Sequence, residues 1–221
     1  MMPCIYLHGF ASSPNSRKAR YLCDRLRTLG IEAIVPDLNQ GDFTHLTLTR
    51  QLEQVSALMC SLPDSPILLF GSSFGGLTAA WLAQQHARIE RLILLAPAFD
   101  FLQHFSSWLD AEQLQRWQAT GTIAVHHYGE GRSLPLHFGF IQDLQLYDER
   151  KLTRSLPTLI LHGRHDDTIP LQSSRDYIGT HPEEAHLIEL DSDHALGDVL
   201  PEVWEAISGF LNTPQNGNRS G

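Results

Sequence analysis

Three sets of residues in this chain have the types and order needed for nucleophilic chemistry: the hexapeptide Gly71-Ser72-Ser73-Phe74-Gly75-Gly76, the acidic pair Asp166-Asp167, and His194. A serine hydroxyl is a weak nucleophile at neutral pH. It needs a neutral imidazole to take its proton and a carboxylate to orient that imidazole. The hexapeptide lies between an apolar run and a helical pattern, which puts its serines on a sharp strand-to-helix turn. In such a turn the backbone passes close to the residues two before and two after the nucleophile, where only hydrogen side chains fit comfortably. Reading Ser73 as the nucleophile places Gly71 and Gly75 there, whereas reading Ser72 would place Phe70 and Phe74. Ser73 is therefore the expected nucleophile.

The partners are expected downstream, in the order serine, acid, histidine. Thr158 to His162 is an apolar run followed by Gly163-Arg164-His165-Asp166-Asp167-Thr168-Ile169-Pro170, and His186 to Leu190 is followed by Asp191-Ser192-Asp193-His194-Ala195-Leu196. Both segments fall at strand C-terminal ends, where open α/β sheets place their sites. On spacing alone the acid is either Asp166 or Asp167, and His194 is the base. The remaining need is an oxyanion hole of preorganised N–H donors. Phe74 N–H, directly after the nucleophile, is one expected donor. Phe10 N–H, in Tyr6-Leu7-His8-Gly9-Phe10 at the end of the first strand, is the other. His8 is then expected to be a structural hydrogen-bonding residue.

Short apolar runs alternating with amphipathic stretches predict parallel strands joined by helical crossovers. Strands are predicted over 3–7, 31–35, 66–70, 91–95, 157–162 and 186–190, with helices over 17–29, 46–62 and directly after the serine turn, where Trp81 is expected in the core. Residues 99–155 break the alternation. They carry Phe99, Phe101, Phe105, Trp108 and Trp117, and are expected to form a short cap insertion with a helix over 110–119, its aromatics chiefly buried against the sheet. Residues 1–212 are expected to form one domain, and 213–221, which lack an apolar anchor, a disordered tail.

Composition narrows the function classes. A formal charge of −9, from 16 basic and 25 acidic residues, argues against a nucleic-acid partner and suits a small-molecule enzyme. The longest apolar run, around Leu92 to Phe99, is interrupted by Pro97 and falls far short of the roughly 20 residues that span a bilayer. No basic, apolar, small-residue leader is read at the start, and the three cysteines Cys4, Cys23 and Cys60 are an odd number, expected to be buried and inert. A soluble protein in a reducing, cytoplasmic setting is the expectation. Neither an H-E-x-x-H nor a C-x-x-C pair is present, and His126 and His127 would point to opposite faces of an extended segment, so no metal or other cofactor is expected.

Tyr6-Leu7-His8-Gly9-Phe10-Ala11-Ser12-Ser13-Pro14, the serine turn Gly71 to Gly76, and Asp193-His194-Ala195 together resemble the YqiA-like small bacterial esterases of the α/β-hydrolase superfamily, loosely over residues 3–212. The resemblance implies an α/β-hydrolase fold: a mostly parallel sheet with helices on both faces. It also implies Ser73 as nucleophile, Asp166 as acid, His194 as base, and Phe10 and Phe74 as oxyanion donors. His162-Gly163-x-x-Asp166-x-x-Ile169-Pro170 matches the superfamily's acid-loop spacing, with Asp167 one residue out of frame. No motif of the family matches 99–155. The implied function is cofactor-free hydrolysis of small to medium carboxylic esters or thioesters through an acyl-enzyme on Ser73. The alternatives are a peptidase or acyltransferase using the same triad, or a noncatalytic hydrolase-fold binding protein.

Overall fold

The computed structural model describes residues 2–213. In chain order the elements are β1 (Cys4–Leu7), α1 (Arg17–Thr28), β2 (Ala33–Ile34), α2 (Leu48–Ser61), β3 (Ile67–Ser72), α3 (Phe74–Gln85), β4 (Ile89–Leu95), α4 (Phe101–Ser107), α5 (Ala111–Thr120), β5 (Thr122–His127), β6 (Arg132–His137), α6 (Gly139–Leu144), β7 (Thr158–Gly163), α7 (Leu171–Thr180), β8 (Ala185–Leu190) and α8 (Leu200–Asn212).

Six strands make one parallel sheet in the order β2-β1-β3-β4-β7-β8. Its central strands are apolar at nearly every position because both faces are covered. Ile5, Leu7, Leu69, Leu92, Leu94 and Ile160 face a core shared with α2, α3 and the elements between β4 and β7. Tyr6, Leu68, Phe70, Ile93, Leu95 and Leu161 face the opposite core, built with α1 and α8. The alternation is the two-residue period of a strand expressed as two cores instead of one core and one wet face. Strand order reverses between β1 and β3, and the pairing Leu7↔Gly71 puts the loops after these two strands side by side. That is the crevice where open α/β sheets hold their ligands.

The expected segment 31–35 pairs only at Ala33 and Ile34, as suits an edge strand with one neighbour. The segment 99–155 is richer than its sequence pattern. The expected helix is α5, closed at its start by the capping box of Asp110 and Gln113 and at its end by Gly121 at φ 79°. Around it lie α4, α6 and the antiparallel hairpin β5–β6. Phe99, Phe101, Phe105 and Trp117 are buried as expected, and Trp117 Nε1 donates to Leu136 O at 2.9 Å, but Trp108 is 46% exposed. Trp81 lies in the core.

Cys4 is buried and Cys23 half-buried, but Cys60 is exposed on the outer face of α2, which corrects the expectation of three buried thiols. In β5 the imidazole of His127 is buried and that of His126 exposed, the opposite directions expected of strand neighbours. Of the expected tail 213–221, residues 214–221 lie outside the described residues. Among the described residues, no helix is long and apolar enough to cross a membrane.

Candidate active site

Ser73 sits between the end of β3 and the first turn of α3 with φ 53° and ψ −122°, a conformation L-residues rarely adopt. The surrounding hydrogen bonds impose it: Ser73 N–H donates to Leu95 O at 2.9 Å, and Ser73 O accepts from Gly76 N–H at 2.7 Å and Ala98 N–H at 3.0 Å. A Cβ on Gly71 would collide with the backbone of Gly75 and Gly76, and one on Gly75 with the carbonyls of Leu7 and His8. These are the close approaches that the glycine spacing around Ser73 demands. Ser72, the last residue of β3, is buried.

His194 lies on the loop after β8, its Nε2 2.8 Å from Ser73 Oγ and its Nδ1 2.6 Å from Asp166 Oδ2. An ionised carboxylate can only accept, so Nδ1 carries the proton and Nε2 is left to accept from the serine hydroxyl. The histidine loop is seated against the end of β7: His165 N–H donates to Ser192 O at 3.0 Å, and a Cβ on Gly163 would strike the carbonyls of Ser192 and Asp193.

The Asp166 side chain is fully buried. Its Oδ1 accepts from Thr168 N–H at 2.9 Å and Ile169 N–H at 2.8 Å, Oδ2 accepts from His194, and His162 Nε2 stands 3.0 Å from Oδ2. Burial pushes the carboxyl up, but hydrogen bonds from the two imidazoles and the loop backbone outweigh it and hold Asp166 well below the ordinary carboxylate range. Asp167 is exposed, and among the described residues its carboxylate accepts only from Thr168 Oγ1, at 3.3 Å. Lys18 is half-buried on α1; burial lowers its ammonium to about 8, against the attraction of Asp166 and Asp193.

On the opposite side, the loop after β1 runs over the serine. A Cβ on Gly9 would come within 3.2 Å of Ser73 Cβ and 3.7 Å of Oγ. Among the described residues, neither Phe10 N–H nor Phe74 N–H donates to a protein acceptor. The Phe10 ring packs among Phe43, Phe74, Phe101, Phe105 and Phe140, with centroids 5.3–6.2 Å away. His8 is buried and structural: Nδ1 donates to Gly9 O and Nε2 accepts Leu38 N–H, both at 3.0 Å. Burial lowers its pKa, which favours the neutral ring.

The sequence thus points to Ser73, Asp166 and His194, and these are the residues brought into one hydrogen-bonded chain; Phe10 and Phe74 lie beside it. It passes over three contributors. His162 is present in the acid-loop spacing but has no role assigned there. Lys18 is an unremarked helix residue. Tyr128, at the tip of the β5–β6 hairpin, donates its N–H to Ala11 O at 2.8 Å, a contact 117 residues apart that no local pattern announces.

A parallel sheet in this order, with a strained serine after β3 and the acid and histidine on the loops after β7 and β8, defines an α/β-hydrolase fold. The chain belongs to the Uncharacterised protein family (UPF0227), whose model matches residues 3–211. Among curated relatives, the Homo sapiens protein named palmitoyl-protein thioesterase ABHD10, mitochondrial, is 27% identical over 184 residues, covering 77% of this chain and 58% of that protein. This chain therefore spans less than two thirds of that relative's length. Among solved structures, Est1E of Butyrivibrio proteoclasticus with ferulic acid bound superposes with a TM-score of 0.80 at 22% identity, covering 96% of this chain and 88% of that one. Mouse alpha/beta hydrolase domain-containing protein 10 superposes with a TM-score of 0.75 at 20% identity, covering 94% and 90%. At these identities the structural likeness is one of fold.

Proposed function

We propose that this chain is a serine hydrolase of small to medium carboxylic esters or thioesters, acting through an acyl-enzyme on Ser73. The reading rests above all on the unbroken hydrogen-bonded chain Ser73 Oγ–His194–Asp166, at 2.8 and 2.6 Å, on a serine held in a strained turn. Ser73 Oγ attacks the carbonyl carbon as His194 Nε2 takes its proton. Phe10 and Phe74 N–H, without an acceptor among the described residues, stabilise the oxyanion, and His194 passes the proton to the leaving alcohol or thiol. Water, deprotonated by His194, then releases the acid. Asp166 keeps His194 in the Nδ1–H tautomer and stabilises the imidazolium as it forms.

In this reading residues 99–155 form a cap on a single domain, and the aromatic residues around Phe10 border the acyl site. The thioesterase name of the human relative supports a thioester carbonyl as substrate, and the ferulic acid bound to Est1E is a carboxylic acid, the product class that ester hydrolysis releases. The test is a panel of soluble p-nitrophenyl esters and acyl thioesters of graded chain length, assayed with the parent and with Ser73→Ala. The parent should turn over the short and medium members, and Ser73→Ala should lose at least about 1000-fold in kcat. A parent inactive on every member would overturn the reading, as would a Ser73→Ala variant that retains most of its activity.

A further inference from the structure

We propose that His162 is a positioning residue of the site: a second imidazole whose Nε2–H, bonded to Ile169 O, also stands against the carboxylate oxygen, Asp166 Oδ2, that orients His194. The proposal rests on the hydrolase reading above and goes beyond it to a residue outside the triad. His162 is fully buried on β7 directly after Leu159-Ile160-Leu161, where an aliphatic residue would pack at no polar cost. Its Nε2 stands 3.0 Å from Asp166 Oδ2 and 3.0 Å from Ile169 O. Both neighbours are acceptors, so Nε2 must bear the proton. Its Nδ1 stands 2.8 Å from the hydroxyl of Ser174, itself fully buried on α7. That hydroxyl can donate to Nδ1, so both ring nitrogens have a partner.

The sharing of Oδ2 gives this arrangement its consequence. Oδ1 is occupied by two backbone N–H groups, and Oδ2 would otherwise meet His194 alone. With His162 in place the carboxylate is contacted at both oxygens by groups other than His194. A share of its negative charge is also drawn toward β7. Among the described residues, the other titratable groups whose charge acts on Asp166 are the His194 imidazole and the Lys18 ammonium. Removing the His162 donor would concentrate the charge of Asp166 on His194 and favour the imidazolium, so the acid limb of the kcat/KM profile should move to higher pH.

Two substitutions of similar polarity separate positioning from packing. His162→Gln extends its amide N–H toward the place of Nε2, whereas His162→Asn reaches only as far as Nδ1 and leaves Oδ2 to His194. With kcat normalised to sites titrated by a fluorophosphonate, His162→Gln should stay within about 5-fold of the parent with its acid limb unmoved. His162→Asn should lose at least about 10-fold in kcat, change KM by less than about 3-fold, and show the limb shifted upward. Equal effects in the two variants, or a loss confined to the titratable fraction, would overturn the proposal. Ser174→Ala, which removes only a hydroxyl, covers the case in which His162→Asn does not fold: a kcat fall of about 3-fold or more is expected, and an unchanged kcat would count against it. Independently of turnover, 15N-edited NMR of the parent should show His162 protonated at Nε2. A ring protonated at Nδ1 alone would overturn the proposal even if the hydrolase reading stands, and an inactive parent with Nε2–H present would sink only the hydrolase reading.

Discussion

Asp166, on the loop after β7, is held almost entirely from within: three of its four partners are Thr168, Ile169 and His162, none more than four residues away. Phe10, on the loop after β1, is held from outside. Leu38 N–H reaches His8, Asn39 Nδ2 donates to Ser12 O at 2.8 Å, and the hairpin tip fastens Ala11 O through Tyr128. The two loops flank one serine but depend on different parts of the chain. The acid side is a local motif, so damage to it should come from a few residues and act through His194. The oxyanion side is a tertiary construction, so substitutions far away in sequence should reach it, each weakly.

The strongest break is expected at the acid. Asp166→Asn leaves a donor where His194 needs an acceptor and favours the wrong tautomer, a change worth about 10000-fold in a well-studied serine protease. A loss of at least about 100-fold in kcat is expected in steady-state ester kinetics, against less than about 10-fold for Asp167→Asn, whose carboxylate is exposed. The reverse ranking would move the acid to Asp167. Next comes the external bracing of the other loop. Asn39→Ala deletes the bond to Ser12 O, and because the oxyanion exists only in the transition state, kcat should fall by about 3- to 10-fold with KM within about 2-fold. A change in KM alone would show that the brace shapes ground-state binding instead.

The smallest effect sharpens the contrast by touching the 99–155 segment without touching either loop. Glu149 accepts Asp100 N–H at 2.9 Å, and burial pushes its carboxyl up to about 7 from an ordinary 4.5. The folded state then holds this proton more tightly than the unfolded chain. Its stabilising contribution is complete below pH 4.5 and is lost as pH rises through about 7. Glu149→Gln keeps the acceptor and removes the charge. Scanning calorimetry should find it equal to the parent at pH 4 and a few degrees higher in Tm at pH 8, with kcat unchanged. Parallel pH dependence in the two proteins would remove the link to Glu149.

The same contrast decides what could be read before folding. The sheet was legible because strands buried on both faces leave continuous apolar runs, and the serine turn because only glycine fits beside Ser73. The acid loop carries its own spacing, so Asp166 and His194 could be singled out from sequence. The hairpin was hidden. Arg132–His137 contains Pro135, which demotes a strand assignment, yet in a two-stranded ribbon every second N–H faces outward and a proline is tolerated. The helix α4 was hidden too, being seven residues long and entered through Asp100 at φ 55° with no side-chain cap. Cys60 shows a further limit: an apolar residue type on a helix does not reveal which face it occupies. His162 was in plain view, but its role lies in which oxygen it shares, and only packing reveals that.

The central claim is that Ser73 is an activated nucleophile, and covalent labelling tests it without any choice of substrate. Incubating the folded protein with a fluorophosphonate and mapping the adduct by mass spectrometry should give one modification per chain, on the peptide carrying Ser73 and absent after denaturation or in Ser73→Ala. An adduct on Ser72 or elsewhere, or no adduct in a folded parent, would contradict it.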